Sequence, residues 1–231
     1  MKKINIKALL VMLFCCTTIF AIKSQTLYES RVSIGGKAGA TMSKIMFSPS
    51  VPQTMLSGYT AGIVFRYAEE KNFGLLAELN LTQSGWKENF EDAPFSYSRC
   101  FTYLRIPILT HITFGSHKVK GFFNAGPEAG YMIGESTTAN FDINNYQNID
   151  GFPIVNRHNE QLALPVKNKI DYGITVGAGM EFIAKHKHSL MLEGRCYYGL
   201  GNVFGSNKKD AFAASTGMTF MVTLCYMYRL K

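Results

Sequence analysis

The sequence has no apolar run long enough to cross a bilayer as a helix. Its one extended apolar stretch, Ala8 to Ala21 (ALLVMLFCCTTIFA), has 14 residues, against roughly 20 for a membrane helix. Cysteine is scarce. Beyond Cys15 and Cys16 in that stretch there are Cys100, Cys196 and Cys225, widely separated, with neither a metal-ligand spacing nor a regular disulfide framework. The expectation is three unpaired residues in or beside strands. Proline numbers only 7, against 21 Gly, 17 Phe and 12 Tyr, a mixture that suits strands with aromatics on one face and small residues on the other. The Gly-x-Ser-x-Gly element of a nucleophile elbow is missing too.

The basic start Lys2, Lys3 and Lys7 followed by that short apolar core has the form of a secretory signal peptide. Residues 1–24 are assigned to it, with cleavage after Ala21 or Ser24. Neither Cys15 nor Cys16 follows the small residues of a lipidation site, so both belong to the discarded segment. Without residues 1–24, Lys plus Arg falls from 24 to 20 while Asp plus Glu stays at 16, so the net charge drops from +8 to +4. The basic excess is therefore no argument for a nucleic-acid partner, and none is expected. Residues 25–231 are one domain by length.

The organising signal is alternation with period two, the pattern of a strand with two unlike faces. In residues 170–182 (IDYGITVGAGMEF), Ile170, Tyr172, Ile174, Val176, Ala178, Met180 and Phe182 share a face. Asp171, Gly173, Thr175, Gly177, Gly179 and Glu181 share the other. Residues 102–114, 189–200 and 218–230 repeat the pattern, and 30–43, 58–68, 73–86 and 119–134 carry it more weakly. The connections alternate short and long. The longest, residues 135–167, would lie on the outer side, and tight turns such as GSHK and AKHKH in the periplasm. Closure follows from physics: unpaired backbone groups are costly in hydrocarbon, so a sheet there must have no edge. The fold class expected is all-β, an eight-stranded antiparallel transmembrane β-barrel in an OmpA-like meander, in the outer membrane of a Gram-negative bacterium.

A narrow barrel packs its interior with side chains. Lys37, Arg66, Glu78, Arg105, Glu128, Asp171, Glu181, Glu193, Arg195 and Arg229 fall on the polar faces. They must pair inside, because an isolated buried charge is too costly. Trp86, Phe101 and Tyr103 are expected as an aromatic girdle at the outer rim. Phe65, Tyr67, Phe114, Phe182, Tyr226 and Tyr228 are expected as its counterpart at the inner rim. Pro107 and Pro127 interrupt strong strands and mark bulges or breaks in pairing. His111 points inward, while His117, His158, His186 and His188 fall in turns or the long loop, so no catalytic set is assembled. Asp142, Asn144, Asn145, Asn148 and Asp150 lack the spacing of a calcium loop. No catalytic, cofactor or metal residue is assigned. In the long loop, Phe141, Tyr146, Phe152 and Ile154 suit a folded lid or a contact with a partner.

The run YLRIPILTHITFG followed by KGFFNAGPEAGYMIG resembles the outer-membrane β-barrel domain widespread in Bacteroidetes, often called PorT-like. GLLAELNLTQSGW, DYGITVGAGMEF and LMLEGRCYYGLGNVF are similar to its other strands, with Pro107 and Gly126–Pro127 matching best. The resemblance implies a small outer-membrane barrel and no catalytic residues. Its founding member is associated with type IX secretion. The function expected is non-enzymatic, a structural or accessory role in contact with outer-membrane lipid. Protein partners would meet the periplasmic turns or the long outer loop. The alternatives are a component of a protein-secretion assembly, type IX-like, or a lipid-modifying barrel enzyme.

Overall fold

In the computed structural model, residues 31–230 are described apart from 69, 71, 91–92, 155–156, 185–186 and 207–209. The signal-peptide assignment, residues 1–24, lies outside the described residues. The elements are β1 (Arg31–Ser48), β2 (Gln53–Thr54), β3 (Leu56–Ala68), β4 (Phe73–Glu88), β5 (Tyr97–Gly115), β6 (Val119–Ala139), β7 (Ile170–Ala184), β8 (His188–Asn202) and β9 (Ala214–Arg229). Neighbours pair β4-β3-β1-β9-β8-β7-β6-β5, and β5 pairs back with β4, so the sheet closes. Every pairing is antiparallel. Among the described residues the count is nine rather than the expected eight. The addition is β2, whose two residues lie against Lys87 and Glu88 at the end of β4.

The register fixes how the ring closes. Gly74 of β4 faces Ala68, which faces Arg31 of β1. In the other direction Gly74 leads through His111, Asn124, Gly177, Arg195 and Met221 to Thr41 of β1, ten residues beyond Arg31. A closed ring with such a stagger tilts its strands by roughly 35–45° to the axis. Side chains one period apart on a strand therefore sit at different heights and angles around the barrel.

The two faces divide as the alternation requires. Outward side chains include Ile63, Leu79, Ile108, Ile174, Leu192 and Val222, with Ile63 59 % and Val222 61 % exposed. Inward polar groups include Glu78, Arg105 and Arg195, all at most 5 % exposed. An apolar wall around a charged centre is the inverse of a soluble barrel and matches hydrocarbon outside.

A membrane strand needs only about 9–11 residues, yet these run from 13 in β3 to 21 in β6. The surplus lies mostly at the long-loop end, where Tyr97 still faces Ala139 and Cys100 faces Ser136. The longest connection is therefore 140–169 instead of 135–167, because pairing with β5 keeps 135–139 extended. Past the apolar belt, Ser57, Lys87, Ser98 and Thr102 take the outward positions.

Pro107 and Pro127 break pairing without shifting it. Between β4 and β5 the pairs pass from Ala77↔Ile108 to Asn80↔Arg105, and between β5 and β6 from Pro107↔Glu128 to Thr110↔Ala125. A proline has no amide hydrogen to give the ladder. Gly126 permits the close approach at this break, since a Cβ there would stand 2.2 Å from the Ile108 carbonyl oxygen. The register shift of this pair lies elsewhere, between Thr102 and Tyr103, where Ile133 is the extra residue of β6, and a second shift lies between β8 and β9 at Tyr198–Asn202.

Candidate functional site: a barrel interior sealed at two levels

Around the middle of the barrel the inward charges pair. Glu78 accepts from Lys37 Nζ at 2.8 Å, from Asn80 Nδ2 at 2.8 Å and from both terminal guanidinium nitrogens of Arg195 at 2.8 Å. Arg195 also donates to Glu193 Oε2 at 2.8 Å, and Asn124 Nδ2 donates to Glu193 Oε1 at 2.7 Å. Nearer the long loops, Arg105 bridges Glu128 at 3.2 Å and Asp171 at 3.0 Å. The Arg105 guanidinium is held between the rings of Tyr103 and Tyr197, 4.6 and 4.2 Å from their centroids. Nearer the short turns, Arg66 donates to Glu181 at 2.8 Å. Nine of the ten expected interior charges take part in these contacts, and the tenth, Arg229, is half-buried at the short-turn mouth and is engaged there too. An apolar layer of Val64, Leu76, Leu109, Phe122, Met191, Cys225 and Met227 fills the same end.

The second level is aromatic. Trp86, Tyr97, Phe101, Phe204 and Phe212 are each at most 1 % exposed and pack with Phe47 inside the long-loop end. Trp86 lies 5.5 Å edge-on from Phe47 and 5.8 Å from Phe101. Arg99 sits over Trp86, Phe101 and Phe204 at 5.4–5.8 Å, pairs with Glu135, and donates to the Leu164 carbonyl at 2.7 Å.

The outer-rim girdle expected of Trp86, Phe101 and Tyr103 is thus overturned: all three point inward. Trp86 shares the even parity of Glu78 and Asn80 on β4, and Phe101 and Tyr103 share the odd parity of Arg105 on β5. Parity, not proximity to the rim, sets the face. The outward aromatics at that rim are Tyr59, Tyr131, Tyr172 and Tyr198, whereas Phe65, Tyr67, Phe114, Phe182, Tyr226 and Tyr228 do stand outward near the short turns.

The long connection closes the top. Phe141, Tyr146 and Phe152 pack on the aromatic cluster, while Ile154 is exposed. Two short 3₁₀ turns, Tyr146–Asn148 and Glu160–Leu162, shape it, and the second carries the buried Gln161 and Leu162 inward. A polar node ties it down. Glu88 accepts from Arg157 Nη2 at 2.7 Å, Gln161 Nε2 at 3.1 Å and Trp86 Nε1 at 2.9 Å, and Tyr97 donates to the Leu162 carbonyl at 3.0 Å. Asp142 accepts from the Asn144 amide at 2.9 Å and Asn148 donates to Asn145, so these residues build turns within the loop.

Sequence reasoning missed Glu88, Arg99, Glu135, Arg157 and Gln161. Continuing the parity of β4 and β5 past the assumed strand ends finds Glu88 and Arg99. Glu135 had no such signal, because the bulge at Ile133 reverses parity and brings it round to Arg99. Arg157 and Gln161 come from the loop and depend on its folding.

The histidines stay apart. His111 is buried and its Nδ1 lies 2.6 Å from Asn124 Oδ1. Since Asn124 gives its amide to Glu193, its oxygen accepts and His111 Nδ1 carries the hydrogen. His111 Nε2 has no partner among the described residues and borders a small polar pocket at the short-turn mouth, with Arg31, Ser33, Arg66, Lys120 and Glu181. A serine nucleophile must reach that nitrogen, and no described hydroxyl bonds to it. His188 Nδ1 lies 2.6 Å from the Tyr226 hydroxyl, His158 pairs with Glu160 at 3.6 Å, His117 is exposed, and His186 lies outside the described residues. Among the described residues no group of three or more His, Cys, Asp or Glu is placed to hold a metal, and Cys100, Cys196 and Cys225 are free thiols.

A family model described as an outer membrane protein beta-barrel domain matches residues 23–205 of the chain. The match takes in β1 to β8 and stops before β9. A search of curated proteins finds no match. Among solved structures, Neisserial surface protein A is similar at 11 % identity and a TM-score of 0.49, over 87 % of this chain and 99 % of that one. Outer membrane protein OprG from Pseudomonas aeruginosa is similar at 11 % identity and 0.49, over 87 % and 96 %. Outer membrane protein W of E. coli is similar at 13 % identity and 0.40, over 88 % and 100 %. At such identities and scores none of them lends this chain a property.

Proposed function

This chain belongs to the outer membrane protein beta-barrel domain family and resides in the outer membrane, and from that premise we propose that it is a closed, non-enzymatic barrel with a structural or accessory role. The observation that carries this is the double seal. A layer of paired charges, each buried, fills the middle, and the aromatic plug with the folded 140–169 connection fills the long-loop end. Eight long strands form the membrane-crossing ring, with β2 riding on β4, and the long connections face outside. The barrel wall meets lipid. The finer likeness to the PorT-like barrels of Bacteroidetes, carried by YLRIPILTHITFG and KGFFNAGPEAGYMIG, belongs to the same proposal.

Purified protein in planar bilayers is expected to show conductance no different from empty bilayers. Discrete, reproducible channel steps would overturn the proposal.

One observation favours a second reading, a component of a secretion assembly. The short-turn mouth carries the exposed Lys118 and Lys187 and the half-buried Lys120 beside Arg31, Arg229 and Glu70, a rim of net positive charge suited to an acidic protein partner in the periplasm. Native mass in mild detergent at about 0.1 M and at about 1 M salt, between which the screening length falls from about 10 Å to about 3 Å, separates the two. A discrete complex that salt dissociates supports the assembly reading, and a monomer at low salt supports the stand-alone barrel.

A further inference from the structure

The wall of the ring has a split. Registered pairing between β7 and β8 ends at Gly173↔Gly199, although β7 begins at Ile170 and β8 runs to Asn202. The strands are tied together again only beyond the split, where the Lys167 and Asn168 amides donate to the Val203 carbonyl at 3.2 Å and Asn168 Nδ2 donates to the Asn202 carbonyl at 2.8 Å. The result is an outward groove of about 710 Å³. Its position is set by the girdle. Tyr131, Tyr172 and Leu200, all exposed on the lipid-facing side, form its lower wall, and Lys167, Lys169 and Ser206 form its upper one. The groove therefore straddles the line where hydrocarbon gives way to headgroups.

We propose that this β7–β8 groove is a binding site for a phosphorylated glycolipid of the adjoining leaflet, seated with an acyl chain along Leu200 and Tyr172 and its phosphate between Lys167 and Lys169. Three features point to this occupant. A split in the wall at this height opens onto the bilayer, so a lipid is what reaches it. The charge is complementary to phosphate: Lys167 and Lys169 flank it, and the Asp210 carboxylate 3.7 Å from Lys167 Nζ is an exposed, long contact that phosphate replaces at little cost. Gly201 leaves room for the Tyr172 ring beside the backbone at the floor, since a Cβ there would stand 3.3 Å from that ring. Tyr131 and Tyr172 offer flat faces, and Asn168 and Ser206 offer polar groups, for the sugar. This inference goes beyond the sealed-barrel reading and holds whichever way the barrel conducts or assembles.

The test uses full-length protein in detergent micelles, with lipid capture read by native mass spectrometry. The probes are bisphosphorylated lipid A, the same lipid dephosphorylated, phosphatidylglycerol and inorganic phosphate. Wild type is expected to hold one bisphosphorylated lipid A with about tenfold preference over the dephosphorylated form. That preference should be lost in K167Q/K169Q and kept in K44Q/K87Q, which removes the same charge from the same rim elsewhere. Inorganic phosphate should not displace the lipid. The proposal is overturned if wild type shows no preference, if K167Q/K169Q keeps it, or if K44Q/K87Q loses it equally. Phosphatidylglycerol bound as tightly as lipid A, or release by inorganic phosphate, overturns it as well. Lys87, Lys167 and Lys169 are exposed and Lys44 is half-buried, and retained folding of both double variants is checked by the mobility of unheated samples on gels.

Discussion

Glu78 shows how single residues decide this interior. Its two oxygens take hydrogen bonds from Lys37, Asn80 and Arg195, which come from three different strands. Removing one partner of such a buried set leaves the others uncompensated, at a cost of about 3–5 kcal/mol. Glu78→Ala is expected to lower the urea midpoint of unfolding from bilayers accordingly, with an unchanged midpoint contradicting the pairing. On the opposite face the sign of the rule reverses. Val222, near the middle of the apolar belt on β9, is 61 % exposed to its surroundings. Val222→Arg is expected to destabilise by about 2–4 kcal/mol in bilayers, measured by the same unfolding titration. A soluble barrel would tolerate that substitution, so the pair of variants reads out which side of the wall is which.

At the scale of elements, the connection 140–169 behaves as a folded strap rather than a free loop. It is held by Arg157 on Glu88, by Gln161 on Glu88, and by Phe152 in the aromatic cluster. Arg157→Ala and Phe152→Ala are each expected to raise the rate of protease cutting within 140–169 by several-fold while β1 to β9 stay protected. Limited proteolysis followed by mass spectrometry measures this, and cutting at the wild-type rate would show that neither side chain holds the strap. The strap's own aromatics were legible in the sequence as a possible lid. Its anchors were not, because an arginine or glutamine in a long loop reads as ordinary solvated polarity until the loop is seen to fold inward.

The whole molecule carries its two seals in series. The aromatic cluster lies above the ion-paired layer, and both are buried in the lumen. Opening the strap with Arg157→Ala is therefore expected to leave planar-bilayer conductance at the empty-bilayer level. Channel steps in that variant would mean that the charged layer and the strand-borne aromatics do not close the barrel without the strap. Closure also explains the extra strand length. The ring rises beyond the roughly 9–11 residues a strand needs to cross, and the aromatic cluster fills what would otherwise be an open cup.

By itself the sequence determined the faces. A period of two sorts the side chains of each regular strand into two faces, and the charges and glycines on one of them mark it as the lumen. An exported chain with alternating segments and no helical span has a closed ring as its way into hydrocarbon, and charges on the inner parity had to pair. Continued past the assumed strand ends, the same period places Trp86, Phe101 and Arg99 inside as well. What parity cannot give is height and angle around the ring. Those follow from the ten-residue stagger, which brings Arg195 to Glu78, 117 residues away in sequence, and Arg66 to Glu181, 115 away. The tertiary structure alone also decided the bulge at Ile133 that turns Glu135 toward Arg99, the inward folding of 140–169, and the split between β7 and β8. Each depends on where one strand's pairing with its neighbour starts, stops or slips, and a single strand's pattern holds no record of that.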